Sequence, residues 1–228
     1  MSGTGTRIDE ALQGLRALIF ETVKEEQQRD QLTGLPNDAA LIEFLSSAID
    51  QKRQFWIAFV EVDLFKRVNN AFGQEMADGL LQAIGRQLAT GVDFFAPRAR
   101  SFRAHGDEFF IVGVLDKNDD KSLEDISNAL DQIRLSMSAL RIVVAGTSKL
   151  MQCTVSIGWV TSNDGQKSDL GLLTASTVRV LLERAVAEAK RRGRNKVIRY
   201  DQKMTSIAIV DFRGSCSACQ ASFTADVP

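Results

Sequence analysis

The run Phe55-Trp-Ile-Ala-Phe-Val-Glu-Val62 restricts the fold of this chain more than any other stretch. Almost no polar side chain interrupts it before Glu61, so it does not fit a strand with one wet face. It reads instead as a strand covered on both sides, which needs layers of chain above and below it. Glu61 and Asp63 break the apolar run at its C-terminal end, where sheets flanked by helices commonly place ligands. The 228 residues are enough for one domain of generous size with extensions. A hydrophobic fraction of 44%, a charged fraction of 25% and a formal net charge of −1 describe a soluble globular chain with no overall field for nucleic acid or a membrane surface. The apolar run is too short to span a bilayer, and the N-terminus lacks the basic, apolar and small-residue succession of a signal peptide. The expectation is a cytoplasmic protein with neither nucleic acid nor membrane as partner. Three cysteines, Cys153, Cys216 and Cys219, make no disulfide framework.

The flanking chain alternates helical and extended patterns. After a Gly/Thr/Ser leader expected to be loose, Ile8, Leu12, Leu15, Ile19 and Val23 recur at steps of three and four, predicting an amphipathic helix to about Arg29. Its apolar stripe can pack on its own domain or zip against the same helix of a second subunit. Asp30 to Asn37 is a turn, with Pro36 suited to the first turn of a helix running to about Gln51. Beyond the central strand, Phe65 to Asn70 predicts a short helix, and Met76 to Ala89 a second one stopped by Gly91. Arg100–Ala104 and Phe109–Val114 predict a hairpin whose polar tip is His105-Gly-Asp-Glu108. Further helices are expected over Ser122–Leu140, with Ser122 and Asp125 as a capping box, and over Leu172–Arg192; strands are expected over Ile142–Val144, Gln152–Thr161, Asn195–Tyr200 and Ser206–Phe212. This order is α+β with a mostly antiparallel sheet rather than a doubly wound one.

Two acids at a strand end, two at a turn tip, and the basic group Lys190, Arg191, Arg192 and Arg194 would make a metal and polyphosphate site if the sheet brought them together. Mg²⁺ needs only one or two protein carboxylates, with water and substrate phosphates completing its shell. The same basic run also suits a helix C-terminus, where cations oppose the partial negative charge.

Taken in succession, Asp30-Gln-Leu-Thr-Gly-Leu-Pro-Asn37, Glu61-Val-Asp-Leu-Phe-Lys-Arg-Val-Asn-Asn70 with Gly73 and Asp78, Arg103-Ala-His-Gly-Asp-Glu-Phe109, Val155-Ser-Ile-Gly158, and Ala189-Lys190 with Gly193-Arg-Asn195 resemble the motifs of the GGDEF family, the diguanylate cyclases. The likeness runs in register from Asp30 to about Asp201. It implies a central sheet flanked by helices, similar to nucleotide cyclase and polymerase palm domains. It also implies that Glu61, the carbonyl of Val62 and Asp107 hold Mg²⁺ or Mn²⁺, and that Glu108 sits near the reacting ribose hydroxyl. Asn69 and Asp78 would read guanine, Phe65 and Lys66 would form the phosphate loop with His105 and Gly106 beside it, and Lys190 and Arg194 would grip the triphosphate. The implied reaction condenses two GTP into cyclic di-GMP. Because each subunit holds one GTP, a homodimer follows, and the N-terminal helix gains a purpose as its dimerising element.

The chain departs from the family pattern at Asp38, Glu61, Gln74 and His105, which stand where arginine, aspartate, histidine and glycine are usual. His105 adds bulk where a glycine would allow positive φ. These changes leave a second outcome open, a catalytically inactive domain that binds GTP or a protein partner as a regulatory module. The family's product-inhibition pair is replaced by Ala96 and Ala99. Residues 1–29 read as a signalling or dimerising helix, 30–201 as the GGDEF domain, and 202–228 as a strand with a cysteine-bearing tail. Cys216 and Cys219 have half the ligands of a zinc site, so a shared zinc, a redox pair and a flexible end are all open, and the shortage of ligands favours the last.

Overall fold

The structure is a computed structural model and describes residues 3–96, 98–115, 123–143, 150–166 and 172–206. Ser122, the strand expected beyond residue 206, and the Cys216/Cys219 pair lie outside them. The apolar run forms β1 (Gln54–Val62), the middle strand of a five-stranded sheet of order β2-β3-β1-β6-β7. Its neighbours β3 (Glu108–Leu115) and β6 (Val155–Thr161) are both antiparallel to it. The edges are β2 (Ala99–Arg103), antiparallel to β3, and β7 (Val197–Arg199), parallel to β6.

Alternation along β1 divides its side chains between two cores. Trp56, Ala58, Val60 and Val62 pack under α4 (Gln74–Phe95) and α5 (Leu123–Ser138) through Leu80, Ile84, Leu88, Ile126 and Leu130. Phe55, Ile57 and Phe59 pack under α2 (Asp38–Asp50) and α7 (Ala175–Arg191) through Leu41, Leu45, Leu181 and Leu182. Each fully buried side chain of this size contributes about 1.5–3 kcal/mol, so both layers are needed to hold the strand. The α7 backbone comes unusually close to the sheet. A Cβ built on Gly158 of β6 would lie 2.5 Å from the Val186 backbone nitrogen, so glycine at that position lets the helix seat.

After β1, α3 (Phe65–Phe72) packs on α4, and Gly73, at φ +82°, turns the chain from one to the other. A small hairpin of β4 (Ile142–Val143) and β5 (Leu150–Met151) and a short α6 (Ser162–Gln166) complete the described domain.

Several boundaries differ from expectation for identifiable reasons. Helix α1 spans Gly3–Gln27, so the Gly/Thr leader is helical, continuing the stronger pattern behind it. Its Leu12, Leu15, Ile19 and Val23 are exposed, as are Leu18 and Phe20, so the stripe does not pack on its own domain. Pro36 stays outside α2; Asn37 caps that helix instead, its Oδ1 accepting from Ala40 N–H at 3.2 Å. Helix α4 runs through Gly91 to Phe95, and Gly91 allows close contact with Ile133 of α5.

Candidate active site

The sheet register assembles the site. Glu61 and Glu108 are opposite one another across β1 and β3, so the turn before β3 delivers Asp107 to the end of β1, where Val62 N–H donates to the Asp107 carbonyl at 3.4 Å. Within the turn, Glu108 N–H donates to the His105 carbonyl at 3.0 Å and Ala104 N–H to the Glu108 carbonyl at 3.1 Å. The residue with positive φ is Gly106, at +56°; His105 is not in that region, so histidine costs the backbone nothing there. The imidazole is 68% exposed and lies against Glu108, Nε2 to Oε2 3.4 Å.

Arg103, the last residue of β2, braces the turn from beneath. Its Nε and Nη2 donate to the Gly106 carbonyl at 3.2 and 2.7 Å, and its Nη1 donates to both carboxylate oxygens of Asp30 at 2.7 and 2.9 Å. Burial would raise the Asp30 carboxyl, but hydrogen bonds from Thr33 and Arg103 outweigh it and hold the group below its ordinary value.

Asp107 is the least comfortable of the acids. Burial, and next the charge of Glu61, push its carboxyl up to about 6, with Lys190 only partly offsetting them. An acid penalised for its own charge in this way is well placed to receive a cation, because a cation removes the penalty. Among the described residues no group of three or more His, Cys, Asp or Glu side chains converges in a metal cage. Two carboxylates and a carbonyl at adjacent strand ends are instead the modest donor set that Mg²⁺ requires.

Lys190, in the last turn of α7, pairs with Glu61. Gly193 (φ +106°) ends the helix, with Gly193 N–H donating to the Lys190 carbonyl at 3.2 Å and Arg194 N–H to the Ala189 carbonyl at 3.0 Å. Arg194 and Asn195 then both take positive φ, at 63° and 48°. Asp63 pins this turn. Its carboxylate accepts from Asn195 N–H at 3.0 Å and from the Thr154 and Ser156 hydroxyls, each at 2.7 Å. The expectation that Asp63 joins Glu61 at a metal is therefore corrected: all of its reach is spent on the fold. Arg191 and Arg192 are likewise withdrawn from the basic group, because both bond Glu188 and hold its carboxyl down at about 2.

Phe65 and Lys66 open α3 behind Leu64, which has φ 59°, and no side chain caps that N-terminus. Its first N–H groups are therefore available to an anion. Asn69 on α3 is exposed and Asp78 on α4 half-buried. Among the described residues no hydrogen bond or ion pair joins the side chains of Lys66, Asn69, Asp78 and Arg194 to the site acids. Two residues in the site had not been anticipated. Arg179 of α7 bonds Glu108 at 2.9 Å and Asp38 at 3.3 Å, and Glu183, one turn on, has its carboxyl raised by burial against the opposing pull of Arg179. Cys153 is buried, with its thiol raised to about 11 by burial and then by Asp63.

Carboxylates at the ends of adjacent antiparallel strands thus meet a lysine from a covering helix in an α+β domain whose sheet is mostly antiparallel. The chain belongs to the GGDEF family: residues 27–196 match the family described as "Diguanylate cyclase, GGDEF domain". It is 29% identical over 178 residues to the response regulator PleD of Caulobacter vibrioides, an alignment covering 74% of this chain and 35% of PleD. It is also 27% identical over 192 residues to the diguanylate cyclase DgcP of Pseudomonas aeruginosa, covering 79% of this chain and 26% of that protein. The chain thus spans about a third or less of these relatives' lengths. Its fold is similar to diguanylate cyclase SiaD of Pseudomonas aeruginosa, crystallised with its activator SiaC, with TM-score 0.67, 26% identity, and 85% and 70% of the two chains covered. The coiled coil and GGDEF domain of DgcB from Caulobacter crescentus, in complex with c-di-GMP, shares the fold with TM-score 0.68 at 21% identity, covering 86% of this chain and 98% of that one. Among the described residues no helix is long and apolar enough to cross a membrane.

Proposed function

We propose that this protein is a diguanylate cyclase that condenses two GTP into cyclic di-GMP as a homodimer, with Mg²⁺ or Mn²⁺. The observation that carries this reading is the juxtaposition of Asp107 and Glu61 at neighbouring strand ends, with the Asp107 carboxyl raised to about 6 and Lys190 at hand. Glu61, Asp107 and the Val62 carbonyl would hold the divalent ion, which when bound supplies neutralisation of the phosphate charge. Lys190 and Arg194 would bind the triphosphate, with Lys190 leaving Glu61 for a phosphate oxygen as substrate enters. The uncapped start of α3 at Phe65 and Lys66 would receive a further phosphate oxygen. Asn69 and Asp78 would hold the guanine edge.

Glu108 would accept the proton of a ribose 3′-hydroxyl. That oxygen then forms a bond to the α-phosphorus of the partner subunit's GTP, and the bond from that phosphorus to the bridging oxygen breaks, releasing pyrophosphate. The same step in the opposite sense closes the ring. Two sites must face each other, and the exposed stripe of Leu12, Leu15, Ile19 and Val23 on α1 provides a surface for pairing two copies. In this scheme residues 1–29 join the subunits and 30–201 carry the chemistry. Incubation with GTP and Mg²⁺ or Mn²⁺, followed by mass spectrometry for cyclic di-GMP, tests it.

A further inference from the structure

We propose that Arg179 is a positioning residue for Glu108, held in place by Asp38 and Phe110, and that it keeps the Glu108 carboxylate available to the ribose hydroxyl rather than to the metal. The proposal rests on the reading of this chain as a cyclase. Arg179 projects from α7 into the space between α2 and β3. One guanidinium nitrogen donates to Glu108 Oε2 at 2.9 Å, the other terminal nitrogen reaches Asp38 Oδ1 at 3.3 Å, and Nε lies 3.9 Å from Glu183 Oε1. The guanidinium carbon sits 5.5 Å from the centroid of the Phe110 ring, two places after Glu108 on the same face of β3. A planar, multiply donating group addresses these directions together, whereas a lysine ammonium can reach Glu108 but not hold all of them at once.

The arrangement divides the acids of the site. Glu61, Asp107, Glu108 and Glu183 lie close enough for their charges to oppose one another. Lys190 is paired with Glu61 and Arg179 with Glu108, whereas Asp107 has no ion pair among the described residues. A divalent ion is therefore drawn first toward Asp107, and Glu108 stays turned toward α7. The Arg179, Asp38 and Glu108 side chains are 32%, 35% and 28% exposed, so solvent screens the pairs and their role is geometric more than stabilising.

The test compares Arg179→Ala and Arg179→Lys with the native chain. In an active protein, Arg179→Ala is expected to lower kcat by about 10- to 100-fold with KM for GTP within about threefold, because a carboxylate displaced by about an ångström loses that much. Arg179→Lys is expected to recover part of the loss, and neither variant to lower the melting temperature appreciably. An unchanged kcat, or a kcat loss matched by a fall in melting temperature, overturns the proposal. A second arm needs no turnover: Mn²⁺ affinity measured by electron paramagnetic resonance without nucleotide. Glu108→Gln is expected to leave the native affinity within about threefold, yet to cancel a larger gain produced by Arg179→Ala, a non-additive cycle. Additive effects overturn the proposal. A native chain that makes no cyclic di-GMP contradicts the cyclase reading, and the Mn²⁺ cycle then decides the role of Arg179 separately.

Discussion

Arg103 and Asp30, 73 residues apart, form a two-oxygen ion pair at 2.7 and 2.9 Å that ties the turn after α1 to the Gly106 carbonyl in the signature turn. Arg103 is 8% exposed on its side chain, so removing either partner leaves a charge with little water. Arg103→Leu is expected to cost about 3–5 kcal/mol in urea unfolding, the range for breaking a buried pair from one side. Because the folded Asp30 carboxyl lies below its ordinary 3.8, its contribution is complete above that pH and is lost as pH falls through the lower folded value. Asp30→Asn is expected to flatten the acid limb of the stability curve.

The sign is opposite at Asp107. Its carboxyl is raised from 3.8 to about 6, so the native state holds the proton more tightly than the unfolded chain does. Stability is therefore lost as pH rises from 3.8 toward 6 and remains lower above it. In the metal-free protein at neutral pH, Asp107→Asn is expected to stabilise by about 1–2 kcal/mol after allowance for solvent screening, while abolishing turnover. The gain should vanish at acid pH, and Mg²⁺ should raise the melting temperature of the native chain but not of the variant.

His105 occupies a family glycine position without backbone strain, and its ring is directed to solvent and Glu108. His105→Gly is therefore expected to keep kcat/KM within about tenfold of native, the scale of a surface substitution at a site edge. Steady-state kinetics on the two proteins checks this. A variant far more active than the native chain would show that the imidazole obstructs GTP.

The stripe on α1 gives a separate prediction. Ile19 and Leu15 are 54% and 52% exposed and, with Leu12 and Val23, form an apolar stripe along α1 of the kind that marks an interaction surface. Leu15→Glu combined with Ile19→Glu is expected to convert a two-chain mass in light scattering to a one-chain mass, with loss of specific activity.

How far the sequence revealed these features depends on the range of the interactions. The apolar run announced β1 and both covering layers, because continuous burial leaves a continuous signature. Glu61 was visible for the same reason, as the first acid to interrupt it. Asp63 was misread because it lies one residue past the strand, where the chain turns and its carboxylate swings to Thr154, Ser156 and Asn195, pairings more than 90 positions away or 132 positions away. The capture of Arg191 and Arg192 was legible in principle, since Glu188 stands three and four residues earlier on the same helix. Arg179 was not, for nothing local separates a surface arginine on α7 from one that reaches Glu108 across 71 residues.

Cyclic di-GMP formation is the most direct test of the central claim. The purified native chain with GTP and Mg²⁺ is expected to release cyclic di-GMP and pyrophosphate, and Asp107→Asn or Glu108→Gln under the same conditions to release none above background. GTP that binds but remains unconverted by the native chain with either Mg²⁺ or Mn²⁺ would contradict the account.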